Sequence, residues 1–277
     1  MSNPLRSYLY VPASRPDRYA KALSAGADAV IFDLEDAVAA DDKTDARAAL
    51  LQGLSEAKLA AGPALPEVLV RINCHGSQWY QDDLDACARL DIAGIVIPKP
   101  DTPMLIARVA SQHPNWRLYL LMETAAGFTH IEDLAKAPNV ARLMFGSVDL
   151  MLDLGVTNDD APLHYYRSLI VLHSRLANLP APVDGVCTTL EDPAALKAEM
   201  DRAKAFGFQS KLCVHPRQVP GIHQGFAPTA AEVAWAQRVC KEAGGGAAVA
   251  IDGKLIDAPI LEQARRIVAA ASANAGV

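Results

Sequence analysis

Two carboxylates that follow neighbouring apolar runs are the residues best suited to bind a metal ion. Glu123 comes directly after Leu118–Met122, and Asp149 comes shortly after Ala141–Phe145. Carboxylates that share a cation with water and substrate oxygens suit Mg²⁺, which keeps several waters in its shell. The seven histidines are dispersed and lack the spacing of a zinc site. The sequence therefore predicts a Mg²⁺ site with Glu123 and Asp149 as its ligands.

An arginine and three acidic residues follow two further apolar runs. Arg71 lies at the end of one run, and Asp33, Glu35 and Asp36 lie together at the end of the other. The guanidinium fork of an arginine can hold a carboxylate or a developing enolate in fixed geometry. We predict this ligand role for Arg71, with the three acidic residues holding Arg71 and metal-bound water in place. The alternative interpretation is a structural ion pair between Arg71 and Glu35 or Asp36.

Lys99 follows another apolar run and can be interpreted in two ways. A lysine at such a position can form a Schiff base with a carbonyl substrate, but that nucleophile needs a depressed pKa from desolvation or from a neighbouring cation. The sequence shows no such feature, so we assign Lys99 no covalent chemistry.

One particular fold would bring these polar residues together. Eight short, nearly continuous apolar runs alternate with segments of helical period, as expected for parallel strands covered on both faces. This alternation predicts an α/β fold of the (β/α)₈ TIM-barrel type, in which the chemistry lies at the carboxyl ends of the strands. The strands are expected at Ser7–Val11, Ala29–Asp33, Val68–Ile72, Gly94–Ile97, Leu118–Met122, Ala141–Phe145, Val183–Val186 and Ser210–Val214.

An open doubly wound sheet is the competing architecture. That fold usually carries a glycine-rich phosphate loop after its first strand, whereas the segment Tyr10–Pro16 contains no glycine. We therefore prefer the barrel. Its helices are expected at Pro16–Ser24, Asp42–Ala60, Gln81–Leu90, Pro103–Ser111, His130–Ala135, Leu163–Asn178 and Pro193–Phe206.

The pattern changes after Pro216, and the remaining chain is longer than the eighth helix of a barrel requires. We therefore divide the chain into a catalytic barrel domain over residues 1–225 and an extension over residues 226–277, which we expect to act as a lid or an oligomerisation arm. The extension is predicted to contain a helix over Ala230–Ala243, a hinge at Gly244–Gly246, a hairpin of Val249–Ile251 with Leu255–Ile256, and a last helix from Pro259.

The composition argues against several classes of function. The chain has 277 residues and a net charge of −6, which argues against a general nucleic-acid binder, since such proteins present a basic face. Its apolar runs are far shorter than the ~20 residues of a membrane-spanning helix. The N-terminus has no apolar signal core, and the five cysteines are scattered with no Cys-x-x-Cys pair. We therefore expect a cytoplasmic protein with reduced thiols and no nucleic-acid or membrane partner.

Seven short motifs occur along almost the whole chain. They are Arg6–Pro12, Asp28–Val38, Val70–Asn73, Met122–Gly127, Phe145–Leu150, Lys211–Pro216 and Ile256–Pro259. Through these motifs the sequence resembles the citrate lyase β-subunit-like group of the HpcH/HpaI aldolase family. Any one motif is short, but seven in the same order make the resemblance specific.

The resemblance implies a Mg²⁺-dependent carbon–carbon lyase. Such an enzyme reversibly cleaves a 3-hydroxyacyl-CoA thioester, typically malyl-CoA or citramalyl-CoA, to acetyl-CoA and a 2-oxo acid. By motif matching, Glu123 and Asp149 are implied as metal ligands, Arg71 and Glu123 as substrate-binding residues, and Arg71 and Asp257 as catalytic residues. Asp257 would supply an acid or base to the active site of a neighbouring subunit. A homo-oligomer, typically a trimer, is therefore implied as well.

Coenzyme A brings phosphates, which need cations. Arg15, Arg18 and Lys21, in the connection after the first strand, are candidates for this contact. A solvated helix face is an equally good interpretation of these three residues.

The chain departs from the family pattern at three positions, and other functions stay open. Ala13 stands where many relatives have glycine, Ala126 where arginine is common, and Val148 where an acidic residue is frequent. These changes can alter the accepted acyl group or the balance between lyase and thioesterase activity. The alternatives are the β subunit of a citrate lyase complex, acting on a citryl thioester of an acyl-carrier protein, an acyl-CoA thioesterase, and an aldolase for free hydroxy acids.

Overall fold

The computed structural model describes residues 5–243, 249–251 and 253–275. The chain divides into two compact units, one of which is Leu5–Gly225 and the other of which contains Phe226–Val277. No helix in the described part of the chain is long and apolar enough to cross a membrane.

The first unit is a closed barrel of eight parallel strands in sequential order, which confirms the predicted (β/α)₈ architecture. All eight predicted strands exist, with ends that differ by at most two residues. Strand seven is the shortest, and it ends two residues earlier than predicted. The strands are β1 Ser7–Pro12, β2 Ala29–Asp33, β3 Glu67–Arg71, β4 Gly94–Pro98, β5 Arg117–Met122, β6 Val140–Phe145, β7 Val183–Asp184 and β8 Ser210–Cys213.

Helices connect the strands around the outside of the barrel. Short 3₁₀ turns precede three of them, at Pro16–Arg18, Ala40–Asp42 and Ala161–Leu163. The helices are α1 Tyr19–Leu23, α2 Lys43–Ala61, α3 Tyr80–Cys87, α4 Pro103–Gln112, α5 Ala125–Thr129, α6 Ile131–Ala135, α7 Ser147–Leu154, α8 His164–Leu176, α9 Pro193–Phe206 and α10 Gln218–Phe226.

Helix α7 is the main departure from the expected elements. The sequence pattern predicts no helix directly after the sixth strand, but Asp149 lies in the first turn of α7. The helix has eight residues and no side-chain cap at its N-terminus, so the usual start signal is missing. Gly155 ends it in the left-handed region, with φ +68°. The structure therefore places Asp149 on a helical segment, close behind strand β6.

The barrel interior is filled by alternate residues of the strands, as the two-residue period of a strand requires. In β2, β3 and β5 the same alternation brings Asp33, Arg71 and Glu123 to the carboxyl ends of the strands, above the apolar core. The core residues are Tyr8, Ala29, Ile31, Leu69, Val96, Tyr119, Leu121, Met144, Val183 and Leu212. The packing that fills the barrel therefore also aims these polar side chains at the barrel axis.

The second unit contains α11 Ala230–Glu242, the strands β9 Val249–Ile251 and β10 Lys254–Ile256, and α12 Ala258–Ala275. The two strands pair antiparallel, which confirms the predicted helix-hairpin-helix extension. A capping box starts α11, because the Thr229 hydroxyl accepts from the Glu232 amide and the Glu232 carboxylate accepts from the Thr229 amide. The predicted Gly244–Gly246 hinge and the turn residue Asp252 lie outside the described residues.

Candidate active site

The carboxyl ends of the strands bring the predicted rim residues together. Asp33 and Arg71 are the last residues of β2 and β3 and are register partners. Lys99 follows β4, Glu123 follows β5, and Asp149 lies in α7 behind β6. Since the strands are parallel, all five meet at one end of the barrel.

One ammonium group lies among three carboxylates at this rim. Lys99 Nζ is 2.9 Å from Glu35 Oε1, 3.2 Å from Asp149 Oδ1 and 3.7 Å from Glu123 Oε1. The backbone amide of Lys99 also donates to Glu123 Oε1, at 3.0 Å. The two predicted metal ligands, Glu123 and Asp149, therefore face a common cation position, and Glu35 lies next to it.

The backbone at Lys99 has an unusual conformation. Its φ of +48° lies in the left-handed region, which costs a residue other than glycine about 1 kcal/mol. This turn directs both the amide and the side chain of Lys99 toward the carboxylates. Strained positions of this kind are concentrated at functional sites.

The neighbouring carboxylates raise the pKa of Lys99. Burial alone would lower the pKa of Lys99, but Glu123, Glu35 and Asp149 raise the pKa above its ordinary value. The side chain is therefore a charged ammonium at neutral pH, whereas a Schiff-base nucleophile has to be a neutral amine. The structure supports leaving Lys99 without a covalent role.

Burial and mutual repulsion disfavour the charged forms of the buried carboxylates Glu123 and Glu35. Burial, together with the charges of Glu35 and Asp149, raises the pKa of Glu123 well above its ordinary value, although Lys99 and Arg71 oppose this shift. Burial likewise raises the pKa of Glu35. A divalent cation next to these groups would favour their charged forms. The electrostatics of the rim therefore suit a cation.

The donor set fits Mg²⁺ better than a metal that is held by protein ligands alone. Within the described residues, no group of three or more His, Cys, Asp or Glu side chains is arranged to hold a metal ion. Mg²⁺ needs only one or two carboxylates, since it retains waters and binds substrate oxygens. Gly146 makes room for one of these carboxylates, because a Cβ atom there would lie 2.5 Å from Glu123 Oε2.

Arg71 is buried and held by the acidic residues that were predicted to support it. Its Nε and Nη2 donate to Asp33 Oδ1 and Oδ2 at 2.7 and 2.6 Å, which makes a bidentate pair. Its Nη1 lies 3.0 Å from Glu35 Oε2 and 3.3 Å from Asp36 Oδ2. The structural ion pair that we considered as an alternative is therefore present. All three guanidinium nitrogens therefore have carboxylate partners, and a ligand of Arg71 would have to replace the exposed Asp36 at Nη1.

Two functional candidates were missed in the sequence. The ring of Tyr10 packs under the guanidinium of Arg71, with 4.8 Å between the ring centroid and Cζ, and burial raises the pKa of the Tyr10 hydroxyl. Lys43 Nζ donates to the carbonyls of Leu34 and Glu35 at 2.9 and 2.7 Å and so fixes the segment that carries Glu35. Lys43 starts a helix, where cations are disfavoured. That mismatch was a signal which could have identified it.

The remaining predicted site residues belong to the first strand-to-helix connection and to the second unit. Arg15, Arg18 and Lys21 are exposed in the connection after β1, and Arg15 forms a bidentate pair with Asp17. Asp257 belongs to the second unit, where its Oδ1 accepts from the amide of Ile260 at 3.2 Å, in the first turn of α12. This contact gives Asp257 a structural role as a helix cap.

Known proteins are similar to this chain along almost its whole length. The family model HpcH/HpaI aldolase/citrate lyase matches residues 6–216. A citrate lyase subunit beta-like protein of Deinococcus radiodurans is 35% identical over 95% of this chain and 96% of its own. A (3S)-malyl-CoA thioesterase of Cereibacter sphaeroides is 34% identical over 99% of this chain and 97% of its own.

A solved structure extends the similarity to three dimensions. The protein CitE of Mycobacterium tuberculosis, crystallised in complex with magnesium, acetoacetate and coenzyme A, has a TM-score of 0.85. It shares 31% sequence identity, and the similarity covers 96% of this chain and 98% of that chain. The seven motifs, the closed barrel and these matches lead to one conclusion. The chain belongs to the HpcH/HpaI aldolase/citrate lyase family.

Proposed function

We propose that the protein is a Mg²⁺-dependent carbon–carbon lyase. It would cleave a 3-hydroxyacyl-CoA thioester, such as malyl-CoA or citramalyl-CoA, to acetyl-CoA and a 2-oxo acid. The observation that carries the proposal is the pair Glu123 and Asp149, which face one cation position at the catalytic end of the barrel. The magnesium and coenzyme A bound to the M. tuberculosis CitE protein support it.

The residues of the rim suit this cleavage. Glu123 and Asp149 would hold Mg²⁺, which when bound supplies Lewis acidity toward substrate oxygens. The Nη1 edge of Arg71 would bind the thioester oxygen, on which negative charge develops as the carbon–carbon bond breaks. Asp33 fixes this edge by holding the other side of the guanidinium.

The acetyl fragment has to gain a proton at its methylene carbon, while the 3-hydroxyl gives up its proton as it becomes the oxo group of the 2-oxo acid, so the cleavage neither consumes nor releases a proton overall. We assign the proton that the methylene carbon gains to Asp257, delivered from a neighbouring subunit of a homotrimer, as the family resemblance implies. Arg15, Arg18 and Lys21 stay candidates for the phosphates of coenzyme A. The trimer, the coenzyme A contacts and a cytoplasmic location remain predictions.

A thioesterase is the second candidate function. The relative from C. sphaeroides, a (3S)-malyl-CoA thioesterase, favours it. A thioesterase breaks the carbon–sulfur bond, so it releases free coenzyme A and the intact hydroxy acid. A lyase instead leaves the thioester in place on acetyl-CoA.

The test is an assay of the purified protein on malyl-CoA and citramalyl-CoA with Mg²⁺. We expect turnover that is lost in Glu123→Gln and in Asp149→Asn, while both variants keep the wild-type circular dichroism spectrum. An assay on free hydroxy acids tests for an aldolase, and an assay on a citryl thioester of an acyl-carrier protein tests for the β subunit of a citrate lyase complex. Inactivity on every CoA thioester in the presence of Mg²⁺ would overturn the proposal.

A further inference from the structure

We propose that Lys99 competes with Mg²⁺ for Glu123 and Asp149, so that metal binding has to displace the Lys99 ammonium from these carboxylates. The inference rests on the proposed metal site. It adds a specific role for a residue that the lyase chemistry does not otherwise use. Its basis is the position of Lys99 Nζ, 3.2 Å from Asp149 Oδ1 and 3.7 Å from Glu123 Oε1.

The geometry makes it unfavourable for Mg²⁺ and the Lys99 ammonium to contact the same carboxylate oxygens together. Mg²⁺ binds oxygen at about 2.0–2.1 Å and keeps a shell of waters. An ammonium within ion-pair distance of the same two oxygens would overlap this shell, and the two positive charges would repel each other. The Lys99 ammonium and a metal ion therefore cannot occupy the position next to Glu123 and Asp149 at the same time.

Lys99 is the partner that can move. Its side chain is 31% exposed and that of Asp149 is 30% exposed, whereas the side chains of Glu123 and Glu35 are 1% and 7% exposed. A lysine ammonium sits on a flexible four-carbon stem, so it can turn toward solvent without disturbing the backbone. Its amide bond to Glu123 Oε1 does not depend on the position of Nζ.

Glu35 gives the displaced ammonium a place to go. Lys99 Nζ already donates to Glu35 Oε1 at 2.9 Å, and Glu35 is not one of the proposed metal ligands. The lysine can thus leave Glu123 and Asp149 and still keep a carboxylate partner. Lys99 would act as a positioning residue that keeps the two ligands neutralised until the metal takes its place.

The experiment measures Mg²⁺ affinity by isothermal titration calorimetry, without substrate. We expect Lys99→Met to bind Mg²⁺ about tenfold more tightly than the wild type, because the competing cation is gone. Lys99→Arg keeps a cation and should stay close to the wild type. Lys136→Met is the matched control. Lys136 is an exposed lysine directly after α6, where it pairs with Glu132, and the substitution should leave the Mg²⁺ affinity unchanged.

The outcomes separate this inference from the proposed function. Equal or weaker Mg²⁺ binding by a folded Lys99→Met variant would overturn the competition and leave the metal site intact. Absence of Mg²⁺ binding by the wild type would overturn both. If Lys99→Met shows no cooperative thermal transition, Lys99→Gln, which also removes the charge, carries the same test with the same expected tightening.

Discussion

Asp33 and Arg71 are register partners on adjacent strands, and two parallel hydrogen bonds of 2.7 and 2.6 Å join their side chains. The pair commits two of the three nitrogens of the guanidinium to the protein. The third, Nη1, lies between Glu35 and Asp36 at the rim. Asp33 therefore fixes the orientation of the Arg71 guanidinium toward a ligand.

Asp33→Asn should impair both folding and activity. The amide cannot accept two hydrogen bonds from the guanidinium, so a buried cation loses its main partner, which costs about 3 kcal/mol in the free energy of unfolding. A misplaced Arg71 should lower kcat/KM about 100-fold. Urea denaturation and steady-state kinetics measure the two effects. Wild-type values for both quantities would contradict the positioning role of Asp33.

Gly146→Ala should weaken the metal site without unfolding the barrel. The new Cβ would lie 2.4 Å from Glu123 Cβ, so the glutamate has to shift. We expect Mg²⁺ affinity to fall about 10- to 100-fold, as measured by calorimetry. Gly53→Ala in helix α2 is the control, because a Cβ there meets only the Tyr19 ring, at an ordinary distance of 3.7 Å, and should leave the affinity unchanged. Unchanged Mg²⁺ binding in Gly146→Ala would mean that Glu123 is not a ligand.

Asp28 should make the free energy of unfolding decrease at acid pH. Its Oδ2 accepts from the amides of Arg6 and Ser7 at 2.8 and 2.9 Å and contacts His223 Nε2 at 3.0 Å. Burial alone would raise the pKa of Asp28, but these hydrogen bonds outweigh it and the pKa is lowered. The stabilisation is therefore fully present above the unfolded pKa of about 3.9 and is lost as the pH falls through the lower folded pKa.

Asp28→Asn tests this dependence. At pH 7 the variant should lose about 2 kcal/mol in the free energy of unfolding, and its difference from the wild type should shrink as the pH falls below about 4. Asp201→Asn removes an exposed carboxylate that pairs with Lys197 and should change little. A difference between wild type and Asp28→Asn that is independent of pH would rule out the ionised carboxylate as its source.

Asp257 is expected to act across a subunit boundary. Asparagine is as good a helix cap as aspartate, so Asp257→Asn removes the acid and keeps the contact with Ile260. The variant should be inactive, as should Glu123→Gln. Co-expression of the two variants should restore part of the activity, since mixed oligomers contain sites with both wild-type residues. Failure to restore activity in purified mixed oligomers would argue against a role in trans.

The alternation of the strands explains why much of the rim could be predicted. Asp33, Arg71 and Glu123 end or follow apolar runs, and in a parallel barrel that position fixes where their side chains lie. Asp149 was found by type and spacing, although its helix was not. The central position of Lys99 depends on contacts between distant segments and on a left-handed backbone turn, which no local pattern reveals. Lys43 was different, since a cation at the start of a helix is a local signal.

The stoichiometry of products from malyl-CoA tests the central claim most directly. The proposed lyase should release acetyl-CoA and a 2-oxo acid in equal amounts, only when Mg²⁺ is present, with no free coenzyme A beyond background. Glu123→Gln should release neither product. Free coenzyme A together with intact malate, or equal turnover after removal of divalent cations by a chelator, would contradict the account.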